Sequence, residues 1–215
     1  MSLPARFLAF FFHQLYHGLA FAYDLVAAVV SFGQWIGWTK TTLPFIEGTR
    51  VLELGHGPGH LLRALLQLPN FGLVAGLDES PQMSRLARRR IVQSGCASPN
   101  LARGIGQALP FAAGSFDSIV ATFPAPYIAE ARTLEEARRV LRSGGRLIVL
   151  LAAWPKSGIL RWAYRVTGES PAEGAAILKE KIKSILARAG FHAETQIIEV
   201  KSASLLTIVA KKPME

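Results

Sequence analysis

Residues 51–60 read Val-Leu-Glu-Leu-Gly-His-Gly-Pro-Gly-His, an apolar run that ends in three glycines at alternate positions. A helix-like segment follows at 61–68, and a second apolar run at 73–77 ends in Asp78. Glycines let the backbone turn sharply and approach a ligand closely, and a helix N-terminus offers N–H groups without intrahelical partners. An acid at the end of the second strand is placed to accept both hydroxyls of a ribose. This stretch therefore predicts a strand, a turn and a helix that bind a nucleoside cofactor.

The spacing of the glycines indicates which nucleoside cofactor this is. The dinucleotide motif G-x-G-x-x-G needs a third glycine where this chain has His60. The chain has instead Glu-x-Gly-x-Gly-x-Gly, which consists of Glu53, Gly55, Gly57 and Gly59. This pattern resembles the first motif of class I S-adenosylmethionine (SAM)-dependent methyltransferases. A pyrophosphate favours a bare helix N-terminus, whereas SAM presents an ammonium, a carboxylate and a sulfonium, so an acid at Glu53 suits it.

Length, composition and charge limit the classes of protein that this chain can represent. With 215 residues, 50% of them hydrophobic and 18% charged, it suits one globular domain with a sizeable core. A single cysteine excludes an internal disulfide and fits a reducing, cytoplasmic compartment, and we expect no metal site. The formal charge of +9 comes from dispersed basic residues without interleaved aromatic rings, which argues against nucleic-acid binding. Peripheral contact with an anionic membrane is the other interpretation of this charge.

The N-terminal segment is apolar but is not a typical membrane span. Residues 7–12 read FLAFFF, and 19–32 are apolar apart from Tyr23, Asp24 and Ser31. Polar residues interrupt every window of about 20 residues, the length that a spanning helix needs. The segment also lacks the basic start and the cleavage site of a signal peptide. We predict a helical cap over 1–46, which packs on the domain, lies on a membrane or lines an apolar substrate mouth.

Strands and helices alternate after this cap, which predicts a parallel sheet covered by helices on both faces over 47–215. The predicted strands are 50–54, 73–77, 100–104, 117–122, 145–152, 192–200 and 203–210. The predicted helices are 59–68, 80–93, 129–141 and 172–189. The connection between the last two strands is too short for a parallel crossover, so we expect a hairpin. The segment 154–171 fits neither a regular strand nor a short turn and is a candidate lid.

The resemblance to class I methyltransferases extends beyond the glycine motif. Residues 107–117 resemble the loop that precedes the fourth strand in that superfamily, and 136–149 resemble the turn from a helix into the fifth strand. The resemblance implies an α/β, Rossmann-like fold with a seven-stranded, mostly parallel sheet and one antiparallel edge strand. Here this fold would carry the N-terminal helical segment in addition.

A narrower resemblance lies in the N-terminal segment. Residues 23–25, 31–33 and Trp38 have the spacing of the N-terminal block in ubiquinone/menaquinone-biosynthesis C-methyltransferases. The tyrosine of that block lies close to the cofactor, so the resemblance implies that Tyr23 closes the SAM site. The chain departs from that family at positions 27, 28 and 39 and over 122–127.

The residues that would contact the adenine and the acceptor follow the third and fourth strands. Many members of the superfamily have an acid after the third strand, but residues 104–107 have none, so the backbone near Gly106 or the Gln107 side chain would contact the adenine. Tyr127 is one catalytic candidate, because ligands bind at the carboxyl edge of such sheets. It would orient an acceptor or face the sulfonium, or it simply packs in its loop. His56 is the second candidate, with a helix-start role as its alternative.

The sequence thus favours a SAM-dependent methyltransferase that acts on a small apolar acceptor, quinone-like or lipidic. Such an enzyme needs mainly in-line placement and a dry site, and a carbon or hydroxyl nucleophile also benefits from a base. A nucleic-acid methyltransferase is one alternative, but the usual Asn/Asp-Pro-Pro-aromatic motif is replaced by Phe-Pro-Ala-Pro at 123–126. A catalytically inactive SAM-fold protein that serves as a membrane-associated binding module is the other.

Overall fold

A seven-stranded sheet forms the centre of the computed structural model, which describes residues 33–96, 99–156 and 171–214. The strands are β1 (Arg50–Leu54), β2 (Leu73–Asp78), β3 (Asn100–Arg103), β4 (Phe116–Thr122), β5 (Leu141–Pro155), β6 (His192–Glu199) and β7 (Ala203–Lys211). Their order is β3-β2-β1-β4-β5-β7-β6. All neighbours from β3 to β5 are parallel, and β7 is antiparallel to both β5 and β6. The expected mostly parallel sheet with antiparallel pairing at one edge is confirmed, and so is the hairpin; β7 lies one place in from the outermost β6.

Helices connect the strands as the sequence predicts. They are α1 (Trp35–Thr39), α2 (His60–Leu66), α3 (Pro81–Gln93), α4 (Ala131–Val140) and α5 (Pro171–Arg188). Short 3-10 helices follow α1 at Lys40–Phe45 and precede α4 at Pro126–Ala129. The start of α3 is set by local chemistry, because Ser80 Oγ accepts a hydrogen bond from the Met83 N–H at 3.3 Å and Pro81 occupies the first turn.

The core lies on both faces of the sheet, because successive side chains of a strand point to opposite sides. Val51 of β1 belongs to a buried cluster that includes Leu62 of α2. Leu52, the next residue, belongs to the cluster on the other face, with Leu134 of α4 and Leu186 of α5. Packing on both sides holds the carboxyl ends of β1, β2 and β4 side by side, and this edge carries the candidate site.

Asp117, near the start of β4, binds the start of β1, at the edge of the sheet opposite the candidate site. Its Oδ2 accepts the backbone N–H of Thr49 at 2.8 Å and that of Arg50 at 2.9 Å, and its Oδ1 lies 2.6 Å from Nε of Arg142. Burial alone would raise the pKa of Asp117, but these N–H groups and the charges of Arg50 and Arg142 lower it below its usual value. A Cβ on Gly48 would lie 2.3 Å from the Asp117 Cβ, so a glycine is required beside it.

Strand β5 is longer than predicted at both ends. It begins at Leu141, which pairs with Phe116, and not at 145. It continues through Trp154 and Pro155, which pair with Ser204 and Ala203 of β7. Residues 154 and 155, at the start of the candidate lid over 154–171, are therefore strand, contrary to the expected irregular structure, while 157–170 lie outside the described residues and the lid itself stays a prediction.

The N-terminal segment is described only from Gly33 onward, so residues 1–32 of the predicted cap, including Tyr23, lie outside the described part. Among the helices that the structure describes, none is long and apolar enough to cross a membrane.

Candidate active site

The turn between β1 and α2 uses its three glycines in three different ways. Gly55, Gly57 and Gly59 have φ angles of +74°, +51° and +79°, a region that L side chains rarely adopt. A Cβ on Gly55 would lie 2.6 Å from the Tyr127 hydroxyl, and one on Gly59 would lie 2.7 Å from the Ala87 Cβ. A Cβ on Gly57 would meet nothing within 4 Å among the described residues. Gly59 therefore serves the contact of α2 with α3, Gly55 leaves room for the Tyr127 hydroxyl, and Gly57 borders unfilled space.

Asp78 ties this turn to the end of β2. Its Oδ2 accepts the backbone N–H of Gly57 at 2.8 Å, and its Oδ1 accepts that of Ser80 at 2.9 Å. The residue is only 1% exposed. The acid that the sequence predicts for a ribose thus also fixes the shape of the glycine turn.

Glu53, at the end of β1, is a buried acid whose side chain is only partly satisfied. It is 2% exposed, and its Oε2 has no hydrogen-bond partner within the described residues. Burial, reinforced by the negative charge of Asp78, raises the pKa of Glu53 well above its usual value. A hydrogen bond from the backbone of Leu62 lowers this pKa, but by less. A buried acceptor atom of this kind fits a cationic group such as the SAM ammonium.

His56 lies within the turn, but its ring is packed rather than free to face a substrate. It is 3% exposed, and its Nδ1 lies 2.7 Å from the Gly57 carbonyl oxygen. In the tautomer that carries the proton on Nδ1, the ring donates a hydrogen bond to this oxygen. A Cβ on Gly76 of β2 would lie 2.9 Å from the His56 ring. Burial lowers the pKa of His56, which keeps the imidazole neutral. The contacts favour the structural alternative for this residue.

Tyr127 reaches across the carboxyl edge of the sheet from the 3-10 helix after β4. Its hydroxyl lies against Gly55, while its ring would be 3.1 and 3.2 Å from a Cβ on Gly106, in the loop after β3. Burial, together with the negative charge of Asp78, raises the pKa of the Tyr127 hydroxyl above its usual value. The hydroxyl therefore stays protonated and is available as a hydrogen-bond donor.

The loop after β3 is joined to an acid that the sequence analysis did not identify. Gln107 Nε2 donates to Glu130 Oε2 at 2.7 Å, and Glu130 is the residue that caps the start of α4. A carboxylate from another element thus lies beside residues 104–107, which have no acid of their own. The absence of an acid from residues 104–107 was the one sequence signal that could have led to Glu130.

An aromatic cluster adjoins the glycine turn, and we define it as Trp35, Trp38 and Phe123. The rings of Trp35 and Phe123 are 4.1 Å apart at an angle of 30°, and Trp38 lies 6.4 Å from Phe123. Trp38 is 4% exposed, and its Nε1 donates to Ser202 Oγ at 2.9 Å. Trp35 is not predicted from the sequence, because three aromatic residues from two distant segments meet only in the folded chain.

A cavity of about 30 Å³ connects the turn to the aromatic cluster. Its lining residues are Trp35, Thr39, Glu53, Gly55, His56, Gly57, Pro58, His60, Leu61 and Thr122. This volume holds about one water molecule. Tyr127 lies in the neighbouring space between Gly55 and Gly106. A larger cavity of about 570 Å³ lies between α4 and α5, away from the turn, and is lined partly by basic residues.

The fold therefore brings most of the predicted site residues together. Those that converge on the turn and its neighbouring loops are Glu53, Gly55, His56, Gly57, Asp78, Gly106, Gln107 and Tyr127. Gly59 faces α3 instead, and Tyr23 lies outside the described residues. No group of three histidine, cysteine, aspartate or glutamate residues in the described ranges could hold a metal ion.

Comparison with known proteins gives a family-level match. The model of the ubiE/COQ5 methyltransferase family matches residues 9–191. A demethylmenaquinone methyltransferase from Symbiobacterium thermophilum is 34% identical over 163 residues, which cover 71% of this chain and 63% of that protein. A demethylmenaquinone methyltransferase from Thermus thermophilus is 32% identical, and the match covers 71% of this chain and 70% of that protein. The chain thus spans less than two thirds of the first relative's length.

The fold matches solved structures at lower sequence identity. The crystal structure of a SAM-dependent methyltransferase from Aquifex aeolicus superposes with a TM-score of 0.62 at 20% identity. The superposition covers 87% of this chain and 97% of that one. This likeness supports the class I methyltransferase fold.

Proposed function

The chain belongs to the ubiE/COQ5 methyltransferase family, and on this premise we propose that it transfers a methyl group from SAM to a small apolar acceptor of the quinone type. The observation that carries the proposal is the buried Glu53 carboxyl oxygen, which has no hydrogen-bond partner within the described residues and belongs to a cavity that Gly57 also lines. The relatives named above are methyltransferases of demethylmenaquinone, and the aromatic cluster beside the turn suits an apolar ring.

The residues of the turn fit SAM by their chemistry. Glu53 would hold the ammonium, and the backbone of the turn at Gly55 and Gly57 would lie along the methionine part. Asp78 would accept the ribose hydroxyls, since it is an acid at the end of β2, the position from which an acid meets a ribose in nucleoside-binding folds of this kind. The Gln107–Glu130 pair would face the adenine, with the backbone at Gly106.

Tyr127 must move for the cofactor to enter. Its side chain fills the space between Gly55 and Gly106 through which a nucleoside passes from the turn to the loop after β3. With the side chain turned outward, its protonated hydroxyl can donate a hydrogen bond to an acceptor oxygen. This is the role of Tyr127 in the proposed reaction.

SAM supplies an electrophilic methyl group on a positively charged sulfur. The chain's own contribution is placement and exclusion of water, since oriented reactants account for much of the rate in such transfers. The aromatic cluster keeps the acceptor side apolar, and the Thr122 end of β4 closes the cavity toward the sheet. The catalytic hypothesis for His56 has less support, because its ring packs on Gly76.

A calorimetric titration and a transfer assay test the proposal together. We expect saturable binding of S-adenosylhomocysteine to the full chain, and transfer of radiolabel from methyl-labelled SAM to a naphthoquinol that lacks the methyl group. Absence of binding would refute the cofactor assignment. Binding without transfer to any quinol would favour the inactive binding module, and transfer to RNA or DNA would favour the nucleic-acid methyltransferase.

We also propose that the protein works in the cytoplasm in peripheral contact with an anionic membrane, where quinones dissolve. A formal charge of +9 supports this contact, at about 1 kcal/mol for each basic residue near the surface. Arg138, Arg188 and Lys212, which line the larger cavity, are candidates for it. In a sedimentation assay, the full chain should bind phosphatidylglycerol vesicles and not phosphatidylcholine vesicles. Unchanged binding after deletion of residues 1–20 would assign the contact to the domain rather than to the N-terminal segment.

A further inference from the structure

Trp35 and Phe123 occupy the boundary between the polar turn and the apolar cluster. Trp35 lines the small cavity together with Glu53 and Thr122. It also packs, with Phe123, against a buried cluster of Trp38, Leu150, Ala203 and Leu205. Trp35 is thus the side chain that borders both the cofactor turn and the apolar region next to it.

Phe123, the residue after β4, has a left-handed backbone conformation and not the extended one of the strand. Its φ angle is +48°, and it is the one non-glycine residue with a positive φ angle in the described ranges. Its N–H donates to the Leu150 carbonyl at 2.7 Å, so the strained residue is fixed to β5. Strain of this kind persists only where the surroundings hold it, and it is concentrated at ligand sites. Here it places the aromatic ring against Trp35.

Trp35 is held from the other side by its own helix. Trp38, on the same short helix α1, is buried and bonded to Ser202 in the β6–β7 connection. Unlike Trp38, both Trp35 and Phe123 are only partly buried. The pair is thus anchored on the buried cluster without being fully covered, and its Trp35 member lines the cavity beside the turn.

We propose that Trp35 and Phe123 are the specificity-determining pair that binds the ring of an aromatic acceptor by stacking, directly beside the cofactor turn. The proposal rests on the proposed function and names the residues that recognise its acceptor. The cluster around the pair consists of apolar side chains, so the ring it accepts is uncharged. Aromatic rings gain stacking energy beyond the burial of area, so a planar ring is preferred over an aliphatic acceptor of equal size.

The test measures binding of 1,4-naphthoquinone to the full chain by calorimetry, in the presence of S-adenosylhomocysteine. We expect Trp35→Ala and Phe123→Ala to weaken naphthoquinone binding by about tenfold or more, with S-adenosylhomocysteine affinity kept within about twofold. Trp35→Phe and Phe123→Tyr keep an aromatic ring, and they should restore most of the affinity. In the transfer assay the alanine variants should raise KM for a naphthoquinol more than they lower kcat.

Trp154→Ala is the matched control, because it removes a partly buried tryptophan of β5 that is not part of the pair. Wild-type naphthoquinone affinity in Trp35→Ala and Phe123→Ala overturns the proposal, and so does an equal loss in Trp154→Ala. If an alanine variant does not fold, as judged by thermal melting, Trp35→Phe and Phe123→Tyr decide the test. Folding like that of the wild type without naphthoquinone binding in these two variants also overturns the proposal. Absence of naphthoquinone binding to the wild type overturns the role of the pair, while retained S-adenosylhomocysteine binding leaves the cofactor assignment standing.

Discussion

Asp78 Oδ2 accepts a hydrogen bond from the backbone N–H of Gly57 at 2.8 Å, so the residue that ends β2 also fixes the turn that follows β1. The replacement Asp78→Ala removes this contact and the proposed ribose contact at once. We expect SAM binding to weaken by about 1–3 kcal/mol, the usual size of a lost hydrogen bond to a charged group. Calorimetry measures this loss, and affinity close to that of the wild type would contradict the ribose assignment.

Glu53 gives the ligand-free protein a pH-dependent stability. Its pKa is raised in the folded chain above the ordinary value of 4.5, so the folded state holds this proton more tightly than the unfolded state does. The stabilising contribution is therefore present below pH 4.5 and is lost as the pH rises through the raised pKa. Glu53→Gln should flatten this dependence in urea titrations at several pH values and should weaken SAM binding. An equally steep pH dependence in the variant would argue against burial as the cause.

Tyr127 and an entering nucleoside compete for the space between Gly55 and Gly106. Removal of the ring by Tyr127→Ala should make S-adenosylhomocysteine bind about twofold to tenfold more tightly, because the open conformation is then always available. Tyr127→Phe keeps the ring and serves as the control, with binding like that of the wild type and reduced transfer. Weaker binding in Tyr127→Ala would mean that the side chain supports the cofactor rather than excluding it.

Glu136 stabilises the loop that precedes β4. Its Oε2 accepts the Leu109 N–H at 2.8 Å. Arg139 donates to Glu136 Oε1 at 2.7 Å and to Oε2 at 2.8 Å, and it also donates to the Phe111 carbonyl oxygen. The hydrogen bond from Arg139 is the main cause that lowers the pKa of Glu136, to about 2. The stabilising effect is hence present above pH 4.5 and is lost as the pH falls toward 2.

Glu136→Gln should lower the free energy of unfolding at pH 7 by about 1–3 kcal/mol. Glu135→Gln is the matched control, because Glu135 forms an exposed ion pair with Arg132 at 3.2 Å. Exposed pairs of this spacing contribute only about 0.3–0.5 kcal/mol. Equal effects of the two variants in denaturant titrations would refute the special role of Glu136.

The parts of the site that the sequence predicted are those encoded within short stretches. The turn at 55–59 and the acid at Asp78 follow from local spacing, because a strand, a glycine turn and a helix are contiguous in the chain. The partnership of Trp35 with Phe123 depends on how α1 packs beside the end of β4, and no local pattern encodes that. The same holds for Glu130, which reaches the loop after β3 from the start of α4. The extension of β5 depends on pairing with β7, which a strand's own residues do not specify.

The place of β7 between β5 and β6 has a consequence for local opening of the sheet. β6 has no other strand neighbour within the described residues, so its backbone is held on the sheet through β7 alone. Amide hydrogens of β6 that point toward β7 can therefore exchange with solvent whenever β6 frays, while the amide hydrogens of β7 that point toward β5 exchange only when the hairpin leaves β5. We therefore expect stronger exchange protection for the amides of β7 that bond to β5 than for the amides of β6. β7, late in the sequence, is thus the strand that holds β6 on the sheet.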